Sequence, residues 1–209
     1  MTVPPSDYWA QVWAERDATE VSWYQASPSS SLAMIEETGA AADAPIIDVG
    51  GGASSLAGCL LEAGFTDVTV TDISAAALER ARASLGSAGA RIAWVRADVR
   101  DHEFGRRFAV WHDRALFHFM VDPADRDAYL RTLGRSVSPG AHLIVATFGP
   151  DGPTTCSGLP VVRYGPDELA EAFAPAAQLV SSRLEDHRTP SGAIQQFLVA
   201  RLDADRPAS

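Results

Sequence analysis

PIIDVGGGASSLAGCLLEAGFTDVTVTD, residues 45–72, decides the fold. The apolar pair Ile46-Ile47 opens a short strand, and Gly50, Gly51 and Gly52 follow two residues after it. Glycines at such a point let the chain turn tightly and bring backbone N–H groups close to a ligand, while the start of the next helix supplies unpaired donors. Leu56, Cys59, Leu60 and Ala63 recur at helical spacing, so the sequence predicts a helix over Ala53–Ala63, stopped by Gly64. DVTVTD, residues 67–72, is then a second strand. Two strands joined through a helix pair in parallel.

The pattern repeats downstream. Ser74 is the natural N-cap of a helix that turns Leu78, Ala81 and Leu85 inward, and RIAWV (91–95), RFAVWHD (107–113) and AHLIVATF (141–148) are further apolar strands, with a helix from Pro123 to Leu133. Five such strands separated by helices call for a parallel sheet covered on both faces, an α/β fold of the Rossmann-like kind. After a helix over Pro166–Phe173, AAQLVSSRLEDHR (176–188) and GAIQQFLVARL (192–202) have only Thr189-Pro190-Ser191-Gly192 at their junction, so they form an antiparallel pair and the last strand is reversed. Three regions follow. Residues 1–44 are an N-terminal helical extension, with Tyr8, Trp9, Val12 and Trp13 on one helix and a second over Ser30–Thr38; residues 45–202 are the sheet domain; residues 203–209 are a polar, flexible tail.

Of 209 residues, 46% are hydrophobic and 21% charged, and Lys+Arg 17 against Asp+Glu 27 leaves a net charge of -10. No basic run exceeds two residues, which speaks against nucleic acid as a partner, and no apolar stretch approaches eighteen residues, which speaks against a membrane. The start MTVPPSDYWAQVWAERD lacks the basic and apolar regions of a signal peptide, so the expected location is cytoplasmic. Cys59 and Cys156 have neither zinc-ligand spacing nor a disulfide framework. The oligomeric state stays open.

Asp72 ends the second strand 22 residues beyond Gly50, where an acid in a doubly wound sheet receives the ribose hydroxyls of a nucleoside, with Ile73 beside it. After the third strand, Asp98 followed by Val99 offers a polar contact to an adenine edge and an apolar cover for its face. A dinucleotide fingerprint beginning at Gly50 would need glycine at Ser55, and it is absent.

These residues together resemble the class I S-adenosylmethionine-dependent methyltransferases over roughly Pro45 to Leu202. The resemblance implies a seven-stranded sheet in the order 3-2-1-4-5-7-6 with the last strand antiparallel, and S-adenosyl-L-methionine as cofactor. It places Asp48 near the methionine amino end, Gly50, Gly51 and Gly52 along the cofactor, Asp72 on the ribose, and Asp98 with Val99 at adenine. Asp113 and Arg114 fall where the methionine end is expected, and Ser54 replaces the usual third glycine. Within the family, DVGGGASSLAGCLLEAGFTDVTVTDIS is most similar to the branch containing the citrate synthase and elongation-factor lysine methyltransferases and uncharacterised bacterial relatives, although His112-Asp113-Arg114-Ala115 departs from that branch's Asp-Lys-Gly.

Methyl transfer is an in-line displacement that needs alignment and, for many acceptors, a base. His112 and His118 are the candidate bases and Arg163 the candidate anchor for an anionic acceptor, which is either a small molecule or a protein side chain. The aromatic-rich extension is expected to cover the cofactor, with Tyr24 and Gln25 nearest to it. Two other readings share these residues: a catalytically inactive adenosylmethionine-binding regulatory module, and an NAD(P)-dependent oxidoreductase.

Overall fold

In the computed structural model, which describes residues 6–15, 17 and 19–204, the alternation of strand side chains sorts the core into two faces. Ile46 and Ile47 in β1 (Ile46–Val49) are both fully buried, one on each side of the sheet. Ile47 packs with Trp111, Leu143, Tyr129 and Phe173, and Ile46 with Leu56, Leu60, Val110 and Ile144. This double burial is the physical reason for the near-continuous apolar strands.

The remaining strands are β2 (Val68–Asp72), β3 (Ile92–Arg96), β4 (Phe108–Arg114), β5 (Val137–Phe148), the two-residue β6 (Thr155–Cys156) and β7 (Leu159–Pro160), β8 (Ala177–Arg188) and β9 (Ile194–Ala204). Seven of them form one sheet in the order β3-β2-β1-β4-β5-β9-β8. That is the expected 3-2-1-4-5-7-6 once the small β6–β7 hairpin is set apart. Strands β1 to β5 pair in parallel, and β9 runs antiparallel to both β5 and β8. The helices are α1 (Ser6–Glu15), α2 (Ser29–Glu36), α3 (Leu56–Glu62), α4 (Ala75–Ser84), α5 (Pro123–Ser136) and α6 (Pro166–Phe173).

Local chemistry sets the boundaries. Ser74 caps α4, its hydroxyl accepting from the Ala77 N–H at 3.3 Å, as expected of that residue. α3 starts at Leu56 and not at Ala53, because the glycine turn runs on and the Leu56 N–H donates to Ser54 Oγ at 3.1 Å. The serine at the usual third-glycine position therefore does a capping job. The sheet extends past the expected boundary at 202: Asp203 and Ala204 belong to β9, and Asp203 accepts from His142 Nδ1 at 2.7 Å. Residues 205–209, the rest of the expected flexible tail, lie outside the described residues. The β6–β7 hairpin has no counterpart in the sequence pattern. Among the described residues, no helix is long and apolar enough to cross a membrane, and no cluster of metal-ligating side chains occurs.

Candidate active site

A cleft with about 1200 Å³ of free space, its mouth included, opens beyond the carboxyl ends of β1, β2 and β4. Its floor is the glycine turn. A Cβ on Gly51 would stand 2.6 Å from Asp48 Oδ2 and 2.7 Å from Val70 Cγ1, so only glycine lets backbone and carboxylate lie this close. Gly52 takes φ +52°, in the left-handed region, and a Cβ there would meet the Trp13 ring at 3.2 Å.

Asp72 faces the cleft from the end of β2, half-buried, and accepts from the Ser74 N–H at 2.8 Å. Loss of water around it raises its pKa to about 6 against the backbone donors Ser74, Gly52 and Ile73, with Asp48 adding repulsion. Two acids on this side of the cleft favour a ligand that brings hydroxyl donors and positive charge. Asp98 also lines the cleft, but Arg100 Nη2 grips its carboxylate at 2.5 Å and bonds Asp125 at 2.6 Å through Nη1. Burial works to raise the Asp98 pKa, and the Arg100 hydrogen bonds outweigh it and hold it low. Ile73 and Val99 complete this wall.

On the β4 side, Asp48 and His112 are register partners on adjacent parallel strands and both are buried. His112 Nδ1 lies 2.7 Å from Asp48 Oδ1, and Nε2 lies 2.8 Å from Ser31 Oγ on α2. A carboxylate can only accept here, so Nδ1 carries a proton, and in the neutral ring Nε2 accepts from the serine hydroxyl. All three residues line the cleft. Arg114, two residues on and thus on the same face, lines it as well. Ala115 then turns the chain with φ 63°, a conformation that favours glycine.

The N-terminal segment crosses over the cleft and is fixed at both sides. Tyr8 donates to the Ser157 carbonyl, Ser30 to Glu185, His187 Nε2 to the Ser22 carbonyl at 2.8 Å, and Ser55 Oγ to the Gln25 carbonyl at 3.3 Å. Trp9, Trp13, Trp23, Tyr24 and Gln25 all line the cleft from this segment, and Trp9 stacks edge-on against Phe119.

The structure thus gathers Tyr24, Gln25, Asp48, Gly50, Gly51, Gly52, Asp72, Ile73, Asp98, Val99, His112 and Arg114 around one cleft, and it separates three others from it. Asp113 points to the opposite face of the sheet, where it accepts from the Tyr129 hydroxyl at 2.7 Å and from the Leu116 and Phe117 N–H groups at 3.2 Å. Burial raises its pKa to about 6. His118 is fully buried between Phe119 and Phe148, with no hydrogen-bond partner for either ring nitrogen among the described residues. Burial, helped by the Arg114 charge, drives its pKa down to about 3, so it stays neutral and outside the cleft. Arg163 is exposed and, among the described residues, its side chain reaches the Gly152 carbonyl at 3.4 Å. His187 ties down the N-terminal segment from β8. Sequence reasoning missed Ser31, Leu116 and Phe119, which line the cleft from α2 and the turn after β4.

Residues 46–140 match a family model described as a methyltransferase domain. Among solved structures, the chain is similar to a protein described for the conversion of a disulfide bond into a thioacetal group during echinomycin biosynthesis (20% identity, TM-score 0.79, covering 97% of this chain and 94% of that one). It is also similar to the N-methyltransferase NodS of Bradyrhizobium japonicum in complex with S-adenosyl-l-homocysteine (16%, TM-score 0.72, 93% and 97%). A third is the Burkholderia thailandensis 1,6-didemethyltoxoflavin-N1-methyltransferase with bound 1,6-didemethyltoxoflavin and S-adenosylhomocysteine (19%, TM-score 0.68, 98% and 92%). At these identities the likeness establishes the fold. No curated protein matches.

Proposed function

We propose that this chain, whose residues 46–140 match a methyltransferase-domain model, is a class I S-adenosylmethionine-dependent methyltransferase that methylates a small molecule held beneath its N-terminal segment. The observation that carries this reading is the path of that segment: pinned to β8, β6–β7 and the glycine turn, it walls the β4 side of the cleft with Trp9 and Trp23, against Phe119 from the turn after β4. Such a wall excludes water and suits an acceptor that enters whole. Two of the three similar structures agree in kind: one is described for a step of echinomycin biosynthesis and the other holds bound 1,6-didemethyltoxoflavin.

The cleft fits the cofactor through the glycine floor that a Cβ would fill and the acidic Asp48–Asp72 side. Asp72 would receive the ribose hydroxyls, Ile73, Asp98 and Val99 the adenine, Gly50, Gly51 and Gly52 the chain between them, and Tyr24 and Gln25 the outer face. Bound there, S-adenosylmethionine supplies an electrophilic methyl group on a sulfonium centre. For an acceptor that must lose a proton, His112 Nε2 is the base: Asp48 fixes the ring through Nδ1, and the acceptor proton passes by way of Ser31 Oγ as the serine proton moves to Nε2.

A protein side chain as acceptor is the second reading, supported by the sequence resemblance to the lysine-methyltransferase branch. Methyl-labelled S-adenosylmethionine, incubated with the enzyme and a cell extract split by size, separates the two. Label in the low-mass fraction supports the small-molecule reading; label confined to protein refutes it.

A further inference from the structure

Arg114 lines the cleft, and no counter-ion pairs with its guanidinium among the described residues. Arg114 leaves the end of β4 away from the glycine turn, towards β5 and β9, where its guanidinium carbon stands 4.5 Å from the centroid of the Phe197 ring. Its Nη1 donates to the Trp23 carbonyl at 2.9 Å, a neutral partner, and no ion pair to it occurs among the described residues. The acid whose charge it feels most, Glu185, accepts from Ser30 and lies 3.8 Å from Arg183. Asp48 is committed to His112. Cys156 offers no thiolate, because burial pushes its pKa up to about 12.

Loss of water lowers the Arg114 pKa to about 10, which leaves it cationic at neutral pH. A guanidinium presents five N–H donors in a planar fork suited to an oxyanion, and holding its charge out of water without such a partner is costly. The rings of Trp9, Trp23 and Phe119 line the same cleft. The role that the sequence suggested for Arg163 has no place in the cleft, since that residue does not line it.

We propose that Arg114 is the acceptor-anchoring residue, and that the acceptor carries a carboxylate or a comparable oxyanion on an aromatic or otherwise apolar body that rests against Trp9, Trp23 and Phe119. This rests on the small-molecule reading above. The other source of the same chemistry is the α-carboxylate of the cofactor. The strand order favours the acceptor: β1 and β2, which carry the glycine turn and Asp72, flank one side of β4, whereas Arg114 stacks on β9 at the other side.

The test uses the full chain saturated with S-adenosylhomocysteine and titrated, by calorimetry or ligand-observed NMR, with benzoate, phenylacetate and indole-3-acetate and with their neutral amides. Arg114→Gln removes the charge and Arg114→Lys retains it; near-UV circular dichroism checks that both fold. The expected result is that the acids bind the wild-type complex about tenfold or more tightly than the amides, that Arg114→Gln abolishes this preference, and that Arg114→Lys keeps part of it. Equal binding of acids and amides, no binding of any acid, or a preference that survives Arg114→Gln overturns the proposal. A parallel titration of the apo protein compares S-adenosylhomocysteine with 5′-methylthioadenosine, which lacks the amino-acid end. If Arg114→Gln weakens only the former, the guanidinium holds the cofactor carboxylate and the proposal fails. Should transferred label reside in protein while the acids still bind through Arg114, the small-molecule reading falls and the anion site stands.

Discussion

Asp72→Asn separates what the carboxylate contributes to binding from what it costs the fold. The substitution keeps an oxygen for the Ser74 N–H at 2.8 Å and removes the charge. Charge-assisted hydrogen bonds are worth about 1.5–3 kcal/mol, so affinity for S-adenosylhomocysteine should fall roughly ten- to a hundredfold. The wild-type carboxyl has its pKa raised from 3.8 to about 6, principally by burial. The folded state therefore binds more protons than the unfolded one between these values, and the stability associated with the group is lost as the pH rises through that window. Asparagine escapes this loss. A shift of that size corresponds to at most about 3 kcal/mol, less to the extent that cleft water reaches the half-buried carboxylate. Apo Asp72→Asn should accordingly be more stable than wild type at pH 8, and the gap should close towards pH 4. Wild-type affinity should fall on acidification through pH 6, while the variant's stays flat. Calorimetry for binding and urea denaturation for stability, each at three pH values, measure both. Undiminished affinity in a folded variant refutes the ribose assignment, and a variant less stable than wild type at pH 8 refutes the account of the buried charge.

Gly51→Ala should lower stability by about 1–3 kcal/mol in denaturant melts, because its Cβ would stand 2.6 Å from Asp48 Oδ2 and 2.7 Å from Val70 Cγ1. Tyr129→Phe removes the hydroxyl shared by Asp113 and Trp111 Nε1 and should cost about 1–3 kcal/mol of stability with cofactor affinity unchanged; a large loss of affinity would return Asp113 to the site. Trp13→Ala should weaken S-adenosylhomocysteine binding and speed proteolysis within the N-terminal segment, since the ring is buried above Gly52; unchanged binding and cleavage would count against a cofactor cover.

The sheet was legible because buried parallel strands are apolar on both faces, and Ile46-Ile47 announces this as plainly as the glycines announce the turn. The antiparallel end followed from a junction of five residues between β8 and β9, too short for a helix. Asp72 was legible because its position at the end of β2 is set by the chain topology. The acceptor side was not. His112, Asp113 and Arg114 are consecutive polar residues, and only the two-residue alternation of β4 tells that Val110, His112 and Arg114 share a face while Trp111 and Asp113 share the other. That rule was available in the sequence and would have excluded Asp113. His118 and Arg163 depend on how the segments after β4 and β7 fold back, which no local pattern states. Ser31 sits in a run of serines, and its contact with His112 joins residues 81 positions apart.

The central claim is most directly tested by a crystal structure of the protein with S-adenosylhomocysteine. The account predicts both ribose hydroxyls within hydrogen-bonding distance of Asp72, the adenine against Ile73 and Val99, and the sulfur facing the chamber walled by His112, Arg114, Trp9 and Phe119 beneath the N-terminal segment. A nucleoside bound with Asp72 free of the ribose, or a sulfur turned to open solvent, would contradict it.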